Sequence, residues 1–262
     1  MSRIKPAIAG RGAVQEISVI REIRGLNQSA QQSRESMSLS ENLAFSPEEF
    51  SGRARLFPLP NLVVFPHVMQ PLHIFEPRYR AMLEDSLADD RLIGMAVLAP
   101  GWENDYEGRP PLRRVGCLCR VATHHRTDDG SYNVLVLGLR RIVIERELPC
   151  KKIFRLAEVR LCEDEYPDLA SEERPELQRR LLEAFKRVLP RIPEAYEQLD
   201  QLLGSQIPLG MLTDIVAYTL ELGLDFKEQL LAETLVDRRA ELLLEHFARV
   251  RTAAFPPEFS AN

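Results

Sequence analysis

One serine, a pair of thiols, a pair of imidazoles and a run of carboxylates are the side chains whose types and spacing could do chemistry. Ser205 stands in Gly204-Ser205-Gln206 ahead of a helical pattern, without the second glycine of a nucleophile elbow. A serine nucleophile needs a base and an orienting group beside it, which spacing along the chain does not place. A turn between helices is the simpler account of the tripeptide. Cys117 and Cys119 share one face of an expected strand and could begin a metal site with His124, His125, Cys150 or Cys162. Zinc sites mostly use ligand pairs at turn-forming spacings, and only one such pair is present. Two small buried side chains are the simpler account of the pair. No metal or cofactor is expected.

His124-His125 alternate across a strand end, where one ring should face outward. Glu163-Asp164-Glu165 reads as a solvated strand exit, and Arg113-Arg114 and Arg140-Arg141 as surface charges that could meet a phosphate or carboxylate. No residue is therefore assigned a catalytic role. Recognition of a polypeptide needs exposed apolar groups or an open strand edge. His67 and Met69, in a proline-bounded corner, and Trp102 and Tyr106, in a polar loop, are the candidate peptide-binding residues.

The elements that would position these side chains begin with residues 55–85, RLFPLPNLVVFPHVMQPLHIFEPRYRAMLED. Pro58, Pro60, Pro66 and Pro71 each remove a backbone donor and fix φ, so no helix can form before Pro77. Short strands are expected over 56–59, 62–65 and 72–75, followed by a helix with Pro77 in its first turn. Further strands are expected over 91–98, 115–124, 132–145 and 154–162, with Asp129-Gly130 turning a hairpin. Residues 99–111 read as a loop.

The period then changes. Leu177, Leu181, Leu182, Phe185 and Val188 mark an amphipathic helix. Shorter helices are expected near 196–203, after Pro208 and over 226–231, with a long one over 233–250. Strands first and helices afterwards indicate an α+β protein. Residues 1–50 are expected to be a disordered extension, 51–168 a β-rich part, 169–251 a helical part, and 252–262 a tail.

The chain has 262 residues, a formal charge of −5 and a pI near 5.7. That acidity argues against a nucleic-acid partner, which usually meets a basic face. No apolar run is long enough for a bilayer span, and no secretory h-region is visible. Four cysteines in a chain of this length suit a reducing, cytoplasmic setting.

The 55–85 segment resembles the N-terminal substrate-binding domain of Lon proteases. Val115-Gly116, Asp129-Gly130, residues 136–141 (VLGLRR), residues 235–239 (LVDRR) and Leu242-Leu243 extend the resemblance over roughly residues 53–250. It implies a PUA-like pseudo β-barrel followed by a helical bundle, and a non-enzymatic module that binds unfolded or extended polypeptide, or another protein. It also links the chain to proteolysis, without the ATPase and peptidase parts. No Gly-x-x-x-x-Gly-Lys-[Ser/Thr] phosphate loop occurs in the sequence. An RNA-binding or assembly module and a small serine or cysteine hydrolase stand as alternatives.

Overall fold

The computed structural model describes residues 45–168, 172–188 and 207–253. Six strands form: β1 (Arg53–Leu59), β2 (Met69–Ile74), β3 (Leu92–Leu98), β4 (Leu112–Arg126), β5 (Tyr132–Leu148) and β6 (Arg155–Cys162). They lie in one mixed sheet in the order β2-β5-β4-β3-β1-β6, and β6 also pairs with the second half of β5. β1 and β3 are parallel, as their connection through β2 and helix α1 (Pro77–Leu87) allows.

The expected barrel is corrected to a sheet folded over its core. Among the described residues β2 pairs with β5 alone, so the sheet keeps a free edge and is not a closed barrel. Prolines are the reason. Residues 62–65, expected as a strand, lie between Pro60 and Pro66 outside any ladder, although Val63, Val64 and Phe65 are buried. In β5 the strand runs on past the expected 132–145. Its 132–148 run is one continuous strand, because β2 covers its first half and β6 its second.

Ala54, Leu56, Leu92, Leu118, Ile142 and Ala157 bring five strands into one apolar core. Gly138 lets the 65–68 corner lie directly on β5. Its N–H donates to the Val68 carbonyl (2.9 Å) and its carbonyl accepts from the His67 N–H (2.8 Å). A Cβ at Gly138 would overlap the Phe65 carbonyl oxygen. Gly130, at φ +81°, turns the β4–β5 hairpin as expected, its N–H reaching the Thr127 carbonyl at 2.9 Å.

The remaining helices are α2 (Arg174–Val188), α3 (Leu209–Thr219), α4 (Leu224–Ala232) and α5 (Val236–Ala253). α2, α3 and α5 pack on one another, whereas α4 also packs on β4 and α1 packs on β1 and β3. Of the helices, α1 and α4 are thus built directly onto the sheet. Residues 1–44 of the expected 1–50 extension, the helix near 196–203, Ser205 and the residues from 254 onward lie outside the described residues, whereas Pro47–Glu49 form a 3-10 turn.

Ion pairs hold helices to sheet, and two sequence expectations fail here. Arg141, expected at the surface, is buried, as are Arg239 of α5 and Asp214 of α3. Arg141 forms a two-pronged pair with Asp214 and donates to the Leu231 carbonyl (3.0 Å) and to Asp164 (3.1 Å). Arg239 donates to both oxygens of Asp164 (3.0 and 2.8 Å) and to Thr213 (2.7 Å). Asp164, expected to be a solvated exit residue, therefore sits between two guanidinium groups. Burial works to raise its pKa, but Arg239 and Arg141 hold it below the usual carboxylate range. A buried charge survives only with partners of this kind.

Candidate functional site

Two concavities are candidates, and of the four expected binding residues His67 alone lines one of them. The first is a groove of about 190 Å³. The start of α1, the 99–111 loop and the β5–β6 connection form it, through Arg78, Tyr79, Arg109, Ile153 and Phe154. Tyr79 and Phe154 are buried, while Ile153 is 64% exposed, the largest value among the described large apolar residues. Tyr79 packs against Phe57, ring centroids 4.5 Å apart.

The 99–111 loop is held in place rather than loose. Ala99 N–H donates to the Pro111 carbonyl (2.8 Å), closing it. Tyr106 Oη donates to Glu76 (2.6 Å), and the Tyr106 carbonyl accepts from Arg78 (3.1 Å). The Arg78 guanidinium lies over both the Tyr79 and Tyr106 rings, at 4.7 and 4.8 Å. Burial and the Glu76 carboxylate push the Tyr106 phenol up to about 12, so it stays a neutral donor. Trp102 meets Tyr106 edge-on at 5.7 Å. These two aromatics back the groove through Arg78.

The second concavity, about 250 Å³, lies over the buried ion pairs and includes His67, Leu139, Arg140, Asp164, Tyr166 and Met211. His67 has φ +65°, an uncommon conformation for a residue with a Cβ. Burial of its imidazole pushes the pKa below the usual value, and Arg140 and Arg141 act in the same direction. Met69 begins β2 and its carbonyl accepts from Tyr218 Oη (3.2 Å). His67 and Met69 thus share one corner, and Trp102 and Tyr106 another.

The free edge of β2 has little to offer a pairing strand. Pro71 has no N–H, so in an antiparallel ladder residues 69, 71 and 73 turn their main-chain groups away from β5. Gln70 Nε2 donates to the Pro71 carbonyl (2.8 Å), and Tyr218 takes the Met69 carbonyl. This is a guarded edge.

The other chemical candidates separate. Cys117 and Cys119 are buried on β4, each Sγ 3.6 Å from a main-chain carbonyl, and burial pushes the Cys119 thiol up. His124 and His125 are both exposed. Among the described residues no three His, Cys, Asp or Glu side chains converge as metal ligands. Arg113 pairs with Asp225 (2.5 Å) and Glu228 (3.4 Å) of α4. Sequence reasoning missed Ile153, Phe154 and Arg109. Ile153-Phe154 did carry a signal: a large apolar pair in a short charged connection just ahead of β6.

Comparison with known proteins identifies the family. Residues 53–249 match the family described as the ATP-dependent protease La (LON) substrate-binding domain, and the chain belongs to that family. It is 28% identical over 197 residues to a Lon protease of Heliobacterium modesticaldum, covering 74% of this chain and 23% of that protein. It is 27% identical over 198 residues to a Lon protease of Anaeromyxobacter dehalogenans, covering 75% and 23%. The chain thus spans less than a quarter of these relatives, and the matched family covers their substrate-binding domain rather than their ATPase or protease domains. The fold is similar to the N-terminal domain of a Mycobacterium avium complex Lon protease (TM-score 0.59, 21% identity, 75% of this chain and 98% of that one). It is also similar to a Lon N-terminal domain protein from Xanthomonas campestris (TM-score 0.53, 22% identity, 74% and 97%). No helix among the described residues is long and apolar enough to cross a membrane.

Proposed function

We propose that this chain is a non-enzymatic protein-binding module that holds unfolded or extended polypeptide in a proteolysis-related setting. The match of residues 53–249 to a substrate-binding domain carries the reading. The groove at Ile153 is the surface assigned to it. An exposed branched apolar side chain over a floor of Tyr79 and Phe154 suits an apolar residue of a client. Capture by the β2 edge is disfavoured by Pro71 and the capped carbonyls of Met69 and Pro71. Binding of this kind uses apolar contact and shape, and needs no covalent step.

The test compares a reduced, permanently unfolded protein with its folded form by fluorescence anisotropy. The unfolded form should bind and the folded form should not. Ile153→Asp should weaken binding about tenfold or more, because burying an aliphatic side chain contributes about 1.5–3 kcal/mol. Equal, negligible binding of both forms to the wild-type protein removes the reading.

A further inference from the structure

The groove at Ile153 gathers arginines on a negatively charged protein. Its lining includes three arginines, Arg78, Arg109 and Arg155, and one carboxylate, Glu107, while the whole chain carries −5. Two of the arginines are already paired with carboxylates. Arg78 is paired with Glu76 (2.9 Å) and the Tyr106 carbonyl. Arg155 takes both oxygens of Glu147 and also donates to the Pro110 carbonyl (2.8 Å). Arg109 differs. Its side chain is 51% exposed, and its nearest carboxylate, 3.8 Å away, is the same Glu147 that Arg155 already holds. Lys151, two residues before Ile153, is a further exposed cation. Lys152 is committed to Asp85. A client entering the groove therefore meets an apolar side chain, Ile153, and the half-exposed guanidinium of Arg109, with Glu107 beside it, in one cavity lining.

We infer that the groove selects polypeptide segments in which an apolar residue stands next to a carboxylate, the apolar side chain lying on Ile153 and the carboxylate on Arg109. This rests on the binding reading above and names its ligand class. Arginine suits the task, because its planar fork meets a carboxylate through two parallel N–H bonds. The carboxylate can come from an Asp or Glu side chain or from a chain terminus; the chemistry is the same. Basic segments are disfavoured by Arg109 and Lys151, which gives the site a means of rejection as well as attraction.

The experiment uses the full chain and four labelled, unstructured Gly/Ser peptides of equal length, each with one central Leu. One carries Glu beside the Leu, one carries Lys there, one is neutral with an amidated end, and one is neutral and ends in a free carboxylate just after the Leu. Anisotropy titrations at low salt should rank the Glu and free-carboxylate peptides at least about fivefold tighter than the Lys peptide. The gap should shrink at high salt. Arg109→Glu, at a half-exposed position, should invert the order, and Arg109→Lys should restore part of it. Circular dichroism checks that each variant is folded. If the Glu and Lys peptides bind wild type equally while Ile153→Asp still weakens both, the charge preference is overturned and the docking reading survives. If no peptide binds and unfolded protein does not bind either, both are overturned. A tight Glu peptide beside a weak free-carboxylate peptide supports the inference with a side-chain source.

Discussion

His67 shows how one residue can carry strain and charge sensitivity together. Its φ of +65° costs a residue with a Cβ roughly 1–2 kcal/mol, and its imidazole, short of water beside Arg140 and Arg141, holds a proton less readily than in the unfolded chain. Between its folded pKa and the unfolded value near 6.5, the unfolded state binds more protons. Stability should therefore fall as pH drops through that window. His67→Gly is expected to raise the melting temperature at pH 7 by relieving the backbone, and to flatten the loss below pH 6.5. Thermal unfolding from pH 7.5 to 5 measures both; an unchanged pH slope would remove His67 as its source. That His67 lies at an unusual corner was legible from its neighbours Pro66 and Pro71. The charges facing it were not, because they come from residues 70 or more positions away in sequence.

At the scale of the element, close backbone approach decides the β2–β5 region. Gly138 accepts and donates main-chain hydrogen bonds to the 65–68 corner, and a Cβ there meets the Phe65 carbonyl oxygen. Gly138→Ala should cost about 3 kcal/mol through overpacking. Gly223→Ala, where a Cβ meets nothing within 4 Å, should stay within about 0.5 kcal/mol of wild type. Urea denaturation of the two variants makes the comparison, and similar losses would show that close approach is not the cause. The sequence gives no hint of the difference, since both are single glycines beside apolar residues. It did mark the β4–β5 hairpin and the start of α1, where Asp129-Gly130 and Glu76-Pro77 act through local geometry alone.

For the molecule as a whole, the Arg141, Asp164, Asp214 and Arg239 group joins β5, the β6 exit, α3 and α5 in one buried network. Asp214→Asn leaves Arg141 buried without its main countercharge and should cost roughly 3–5 kcal/mol. The sheet and helices should unfold in one transition, with the midpoint shifted and the urea slope kept. A biphasic wild-type curve would contradict that coupling. Leu242 and Leu243 are buried, as expected from the apolar width of α5. The role of Arg141 could not be read in the same way. An arginine looks identical in sequence whether its partner is water or a carboxylate 73 residues away.

From its order of residues alone, the chain determined what acts over a few positions: where prolines forbid a helix, where strands give way to helices, which turns close tightly, and its likeness to the Lon substrate-binding domain. Tertiary structure alone decided that the sheet stays open at β2, that Arg141 and Asp164 are interior charges, and that Ile153 and Arg109 line one groove while His67 lies over another. The reason is physical. Propensity and hydrophobic period are local properties of the chain, whereas sheet order, charge pairing and the lining of a groove depend on contacts between segments that only the folded chain brings together.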